Sequence, residues 1–447
     1  MIYLYIHGAD ALCERRNLNM NKPLDKRELK QRTDLNYRRL ADDEYYRIGG
    51  VFSPAEYDWP GDKEGRALLA FVSHYKISGK KIPCMQQMLS EMEKHLNEKR
   101  YMGEMADVIL EQQLSGHSWL LRGLCEHHEQ FGDAYSLSLL KDITENLFLP
   151  TAGRYKDYPV ERGAADRGGV SGTELGVVNG WRLSTDIGCA FMSIDGLSHV
   201  YRITEDWRVK ELVDEMIGVY LAIDKVSLRA QTHCTLTAAR GMMRMYGETL
   251  DNQYLSGAKE IWELYVNGGG MTRTFQNLNW WGRPDSWTEP CAIVDSMMLS
   301  LELYKATEDA KYRTLAARVF HNGLATAQRD NGGAGTDTLV CEGSKWKELK
   351  AQMYEAPFCC SMRLAEGLWY ANENRELLYA ETEGEVTLKE GGIYTDGDIL
   401  YAGPMGGVEK FADGFTEVDG HSLAPVVKYY RVPKEIIMTG SQRILFD

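Results

Sequence analysis

The 447-residue chain is 44% hydrophobic and 26% charged, the composition of a globular protein long enough for one large domain or two ordinary ones. A formal net charge of −14 argues against nucleic acid or an anionic membrane as the main partner, and no apolar run approaches a membrane span. A small neutral ligand, which needs no electrostatic steering, fits this balance better.

The first stretch, "MIYLYIHGADALCERRN", is too short and too interrupted by Asp10 and Glu14 for a signal peptide, so ordered structure is expected from near Met20. Nine cysteines, an odd number placed mostly in apolar helical segments, point to reduced thiols in a cytoplasm. Residues 1–50 read as a segment leading into the main fold. From there a helical stretch, a polar turn and a second helix recur six times, the turns falling at 74–81, 127–135, 199–207, 244–254, 303–312 and 368–377. The spacing predicts a mainly α fold over residues 51–380: an (α/α)6 barrel of six helical hairpins, six inner helices ringed by outer ones. The Gly- and Arg-rich stretch 150–183 is expected to hang over one rim. After about Arg375, alternating residues and Gly/Asp turns predict a β-sandwich-like module over 381–447, complete or not.

The inner helices should begin at "WPGDKEG" (59–65), "LSGHSW" (114–119), "LSTDIG" (183–188), "AQTHCT" (230–235), "SWTEPC" (286–291) and "APFCCS" (356–361). Parallel inner helices would bring these starts to one rim, with Asp62, Glu64, His117, Asp186, His233, Glu289, Cys291, Cys359 and Cys360. Acids at helix starts are often only caps. One carboxylate and three thiols, from Glu289-x-Cys291 and Cys359-Cys360, are the donor types that hold zinc in a tetrahedron. The plainer reading is a pair of buried apolar cysteines. Likewise His117 and His233 serve either as satisfied core histidines or as ligand contacts. Trp280, Trp281, Trp287 and Trp346 suit either the wall of a sugar site or packing.

"TEPCAIVDSMM" followed by "FCCSMRLAEGL", with "GHSWLLRGLCEHHEQFGD" upstream, resembles the β-L-arabinofuranosidase family, glycoside hydrolase family 127, over roughly residues 55–380. The resemblance implies an (α/α)6 barrel with β-sandwich modules. It implies Zn2+ held by Glu289, Cys291, Cys359 and Cys360, with Cys359 also the nucleophile that forms a glycosyl-thioether with net retention. His117 and His233 would contact sugar hydroxyls. Among the rim aromatics, read from the residues themselves, Trp281 is taken as the one that lines the sugar site. The family's acid/base glutamate has no match in the loop 268–285, and a third family histidine falls near Asp186 or Ala190. Either another rim carboxylate protonates the leaving oxygen, or the leaving group needs little help, or the chain does something else. Asp186 is preferred to Asp285, with Asp62 and Glu64 as further candidates. The expected partner is an oligosaccharide or glycoside, with no nucleic acid and no membrane, and with a homodimer left open. Rival readings are a non-catalytic sugar-binding barrel with structural zinc, an epimerase or unsaturated-uronide hydrolase on the same barrel, and a lanthionine-cyclase-like zinc barrel.

Overall fold

The structure is a computed structural model that describes residues 26–54, 59–163, 171–272, 275–283, 286–324, 327–329, 331–336 and 355–380, together with short strand segments beyond. Asp285 and Trp346 lie outside the described residues, as does most of 381–447.

Thirteen helices matter for the site. They are α1 (Lys26–Asp42), α2 (Asp62–Ser78), α3 (Met85–His95), α4 (Glu111–Phe131), α5 (Ala134–Ile143), α6 (Ser193–Thr204), α7 (Trp207–Ala222), α8 (Thr232–Thr249), α9 (Asn252–Asn267), α10 (Pro290–Thr307), α11 (Ala310–Arg318), α12 (Cys360–Glu373) and α13 (Arg375–Ala380). Helices α2, α4, α6, α8, α10 and α12 pack in sequence, and α12 packs back on α2, so the inner ring closes. Helices α3, α5, α7, α9 and α11 each lie outside the inner helix that precedes them. The fold is the expected (α/α)6 barrel. Its sixth pair differs from the linear repeat: α13 is a short helix of six residues, and the helix that backs α12 is α1. Asn36 of α1 donates to the Ser361 carbonyl at 3.0 Å, and Asn372 of α12 donates to Thr33 at 3.1 Å. The leading segment thus contributes a member of the ring.

The recurring turns have a common chemistry. Four inner helices end on a left-handed residue (Gly132, Glu205, Leu250, Glu308), and the next residue is an aspartate. Asp133, Asp206, Asp251 and Asp309 each accept a backbone N–H in the first turn of the outer helix. The left-handed residue stops one helix and the carboxylate starts the next, which folds the chain back in two residues.

Glycine lets the inner helices touch. A Cβ on Gly65 would lie 2.2 Å from the Leu120 backbone nitrogen, and one on Gly123 would lie 2.5 Å from the Gly65 carbonyl oxygen. Neither obstacle can move aside without shifting a helix. Gly65→Ala is therefore expected to lower stability by about 1–3 kcal/mol through overpacking. Gly218→Ala, on the exposed side of α7 with nothing within 4 Å, should instead raise stability by up to about 1 kcal/mol through helix propensity. Thermal or denaturant unfolding of the two variants checks the opposite signs.

The barrel axis is filled with charge. Arg122 pairs with Asp195 at 2.9 Å and with Glu366 at 2.8 Å, Arg240 with Asp295 at 3.0 Å, and Arg244 with Asp195 at 2.5 Å. Arg363 pairs with both Asp295 and Glu366. These groups come from α4, α6, α8, α10 and α12 and are almost wholly buried, so they hold one another in place where the inner helices converge.

The stretch 150–183 carries a hairpin instead of a plain loop. Strands β2 (Glu174–Val178) and β3 (Trp181–Ser184) are antiparallel around Asn179-Gly180, both at positive φ, the backbone that a two-residue hairpin turn requires. Strand β1 (Ile109–Leu110) adds in parallel to β3. Buried Glu111, at the start of α4, ties the stretch down: it accepts from Tyr158 Oη at 2.5 Å and from the Ser184 N–H at 2.6 Å.

Beyond 380, β4 (Thr387–Leu388), β7 (Glu435–Met438) and β8 (Ile444–Phe446) form one sheet in the order β4–β7–β8, and β5 (Thr395–Asp396) pairs with β6 (Ile399–Leu400). Among the described residues no helix is long and apolar enough to cross a membrane.

Candidate metal centre and active site

The starts of α10 and α12 bring the predicted donors together, with the start of α8 beside them. Glu289 is the N-cap of α10, Pro290 sets its first turn, and Cys291 follows. The Glu289 backbone is pinned by Asn277, whose side-chain oxygen accepts its N–H at 2.7 Å. Cys359 is the N-cap of α12 and Cys360 its first residue. Cys291 Sγ lies 3.8 Å from Cys360 Sγ, and Cys359 Sγ lies 3.4 Å from Cys360 Sγ. One carboxylate oxygen and the three sulfurs all fall within 4.8 Å of one another. A tetrahedral zinc with bonds of about 2.3 Å to sulfur has corners about 3.8 Å apart. The spacing therefore fits the metal, as does the donor chemistry. Glu289 Oε2 is buried with no partner, an orphan that a cation would satisfy.

A positive shell surrounds these donors. Arg66 Nη1 lies 3.6 Å from Cys291 Sγ, while Arg66 Nε donates to Asp62 at 2.8 Å. Burial pushes the Cys359 thiol up, but hydrogen bonds from Cys291 and Cys360 and the charge of Arg66 bring it below the usual thiol value. Cys291 and Cys360 are displaced upward by burial.

His233 lies between two carboxylates, with Nδ1 at 3.2 Å from Glu289 Oε1 and Nε2 at 3.3 Å from Asp295 Oδ2. Burial alone would lower its pKa, but Glu289 and Asp295 together raise it to about 10. Its ring stacks on Trp119, centroids 5.7 Å apart, and the Arg66 and Arg363 guanidiniums lie 4.1 and 4.5 Å from the Trp119 ring centroid. Trp119 Nε1 and Asp62 Oδ1 are buried without partners, two polar atoms on the same elements.

Asp186 is buried just before α6. Its oxygens take Ser171 Oγ at 2.8 and 2.9 Å, the Gly172 N–H at 2.8 Å and Gln231 Nε2 at 3.0 Å. Burial pushes its carboxyl up to about 7 against those donors, and the charge of Glu289 adds to the rise. Its hydrogen bonds join the hairpin side of the rim to the start of α8.

Two residues expected at a sugar are placed otherwise. His117 is fully buried: Nδ1 donates to the Gln113 carbonyl at 2.8 Å, and Nε2 accepts the Met102 N–H at 3.0 Å, so neither ring nitrogen is left for a sugar. Burial lowers its pKa to about 4, in keeping with a neutral ring. Trp281 is also fully buried, its N–H donating to Thr235 at 3.2 Å and its ring edge-on to Tyr265, which makes it packing. Trp280 and Trp287 are buried against each other, centroids 4.7 Å apart. His233, with a carboxylate at ion-pair distance from each ring nitrogen, faces the proposed ligand set. Glu64, at the start of α2, is half-buried. Residues the sequence did not single out are Arg66, Trp119, Asn277 and Asp295. Arg66 follows Asp62 by one helical turn, and Trp119 lies inside the quoted "GHSWLL", so both carried a signal.

Glu126, Glu129 and His199 also lie close enough to share an ion. Arg122 at 3.3 Å from Glu126 and Arg202 at 2.7 Å from Glu129 already supply the positive charge there, so that group belongs to the ion pairs of the axis.

Solved structures are similar in fold. A GH127 beta-L-arabinofuranosidase from Geobacillus stearothermophilus has a TM-score of 0.53 at 13% identity, covering 79% of this chain and 65% of that one. A structure described as a glycoside hydrolase has a TM-score of 0.52 at 15% identity, covering 76% of this chain and 58% of that one. An unsaturated glucuronyl hydrolase specific for heparin has a TM-score of 0.52 at 12% identity, covering 79% of this chain and all of its own. This chain therefore spans less than two thirds of the length of the first two and the whole length of the third. No curated protein matches the sequence. The family profile described as the beta-L-arabinofuranosidase GH127 catalytic domain matches residues 63–373, well over half of the sequence, and the chain belongs to that family.

Proposed function

We propose that the protein is a zinc-dependent, retaining glycoside hydrolase that acts on an arabinofuranoside or related glycoside within an oligosaccharide or glycoconjugate. The observation that carries this reading is the convergence of Glu289, Cys291, Cys359 and Cys360 at the starts of two inner helices. These four residues would hold zinc, whose charge would keep the sulfurs deprotonated at neutral pH. Cys359 Sγ attacks the anomeric carbon as the bond to the leaving oxygen breaks, giving a glycosyl-thioether on Cys359. Asp186 gives its proton to the leaving oxygen and then takes one from the water that displaces the sulfur. Two displacements at one carbon give net retention. The free state of all seven cysteines among the described residues suits the reducing compartment we infer.

Asp186 is assigned the proton because it is a rim carboxyl whose pKa lies near neutrality, where proton transfer in both directions is efficient. A general acid must be protonated, so kcat/KM is expected to fall as pH rises through about 7. Asp186→Asn should lose this alkaline limb and should lose far more activity on a substrate with a poor leaving group than on an activated aryl glycoside. Full activity of the variant on the poor substrate removes Asp186 from the mechanism. The second reading, a sugar-binding barrel with structural zinc, is favoured by the absence of a glutamate from the loop 268–285. It predicts sugar binding without turnover on any glycoside.

A further inference from the structure

The role of Asp295 follows from a chain of contacts that leads from the barrel axis to the ligand set. Asp295 is fully buried on α10, one helical turn after Cys291. Its Oδ1 accepts from Arg240 at 3.0 Å and from Arg363. Its Oδ2 accepts from Thr237 Oγ1 at 2.7 Å and faces His233 Nε2 at 3.3 Å. The other nitrogen of the same ring, Nδ1, meets Glu289 Oε1 at 3.2 Å. Glu289 Oε2 is left buried and unpartnered, and an oxygen of this carboxylate lies within 4.8 Å of the three sulfurs.

We propose that Asp295 is a positioning residue that acts on Glu289 through His233, fixing which carboxylate oxygen is turned to the metal. The proposal rests on the zinc reading above. A free carboxylate at a helix start has two equivalent oxygens and a rotatable side chain. With Oε1 at 3.2 Å from the imidazole, the buried and unpartnered Oε2 is the oxygen left for a cation. The imidazole is restrained on two sides: its far nitrogen lies at ion-pair distance, 3.3 Å, from Asp295 Oδ2, and Trp119 stacks on its face. Asp295 in turn is fixed by donors from α8 and α12, the inner helices on either side of α10. The orientation of one ligand is thereby set by three inner helices. Groups that hold a ligand in this way are commonly worth about 10- to 100-fold in metal affinity.

The test is a double-mutant cycle read as zinc affinity, measured by competition with a chelator on folded protein. Asp295→Asn and His233→Phe should each weaken zinc by about 10- to 100-fold. The phenylalanine keeps the stacking surface and removes both nitrogens. If Asp295 acts through His233, the double variant should bind no more weakly than His233→Phe alone. Effects that multiply in the double variant, or an Asp295→Asn protein with a lower melting temperature but unchanged zinc affinity, overturn the proposal. Should Asp295→Asn fail to fold, Thr237→Val takes its place, removing one donor from the same carboxylate oxygen. A several-fold weaker affinity then supports the assignment and an unchanged one overturns it. Wild-type protein that binds zinc while the variants are unaffected refutes only the positioning role, whereas wild-type protein that binds no zinc refutes the zinc reading with it.

Discussion

A Cys359→Ser variant is expected to lose turnover by more than about a thousandfold, while keeping part of its zinc through Glu289, Cys291 and Cys360. A serine hydroxyl is a far poorer nucleophile at neutral pH, and it lacks the polarisable sulfur suited to an oxocarbenium-like carbon. Adjacent residues at a helix start point about 100° apart, so Cys359 and Cys360 do not offer the same face to a ligand. Cys359 is 8% exposed and Cys360 not at all, and the Cys359 thiol is the one displaced downward. Steady-state rates with elemental analysis of the same preparation separate the two effects. Substantial activity remaining in Cys359→Ser contradicts the nucleophile assignment.

Zinc loss should have the next largest effect. Protein purified without chelator is expected to carry about one zinc per chain, and a Cys291→Ala/Cys360→Ala variant almost none. The ligands tie α10 to α12, so the metal should stabilise the closed ring. At a free metal concentration about a thousandfold above Kd, that linkage is worth about 4 kcal/mol. Chelation should therefore lower the melting temperature of the wild type and leave that of the double variant unchanged. Equal zinc content in the two proteins rules out the proposed ligand set.

Much of the ring was legible because its signals are local. The predicted inner starts fall close to the observed ones: Asp62, Thr232, Pro290 and Cys360 each begin a helix within the quoted stretch. The turns were visible because each is a polar break between two apolar helical stretches. The sixth outer helix was not legible, because the pairing of α1 with α12 joins residues more than 300 positions apart. The axial charges were hidden for a different reason. Arg122, Asp195, Arg240, Asp295 and Arg363 share helices with apolar residues, and a helix face directed at the axis has the same period as one directed at a core. At the site, the four donors were readable as residue types with metal-ligand spacing. The histidines were not separable by type: His117 spends both nitrogens on backbone groups, whereas His233 sits between two carboxylates. Only tertiary contacts distinguish those fates. Trp281 had the composition of a sugar wall and the burial of a core residue.

The claim that a thiolate at the start of α12 attacks the sugar is tested most directly by covalent capture. The zinc-loaded protein is treated with an epoxide or haloacetamide mimic of an arabinofuranoside, its intact mass is measured, and the labelled peptide is mapped. The account predicts one added mimic per chain, carried by Cys359 and prevented by excess substrate or product sugar. A label found only on Cys360, or no label on a protein that turns over substrate, would contradict it.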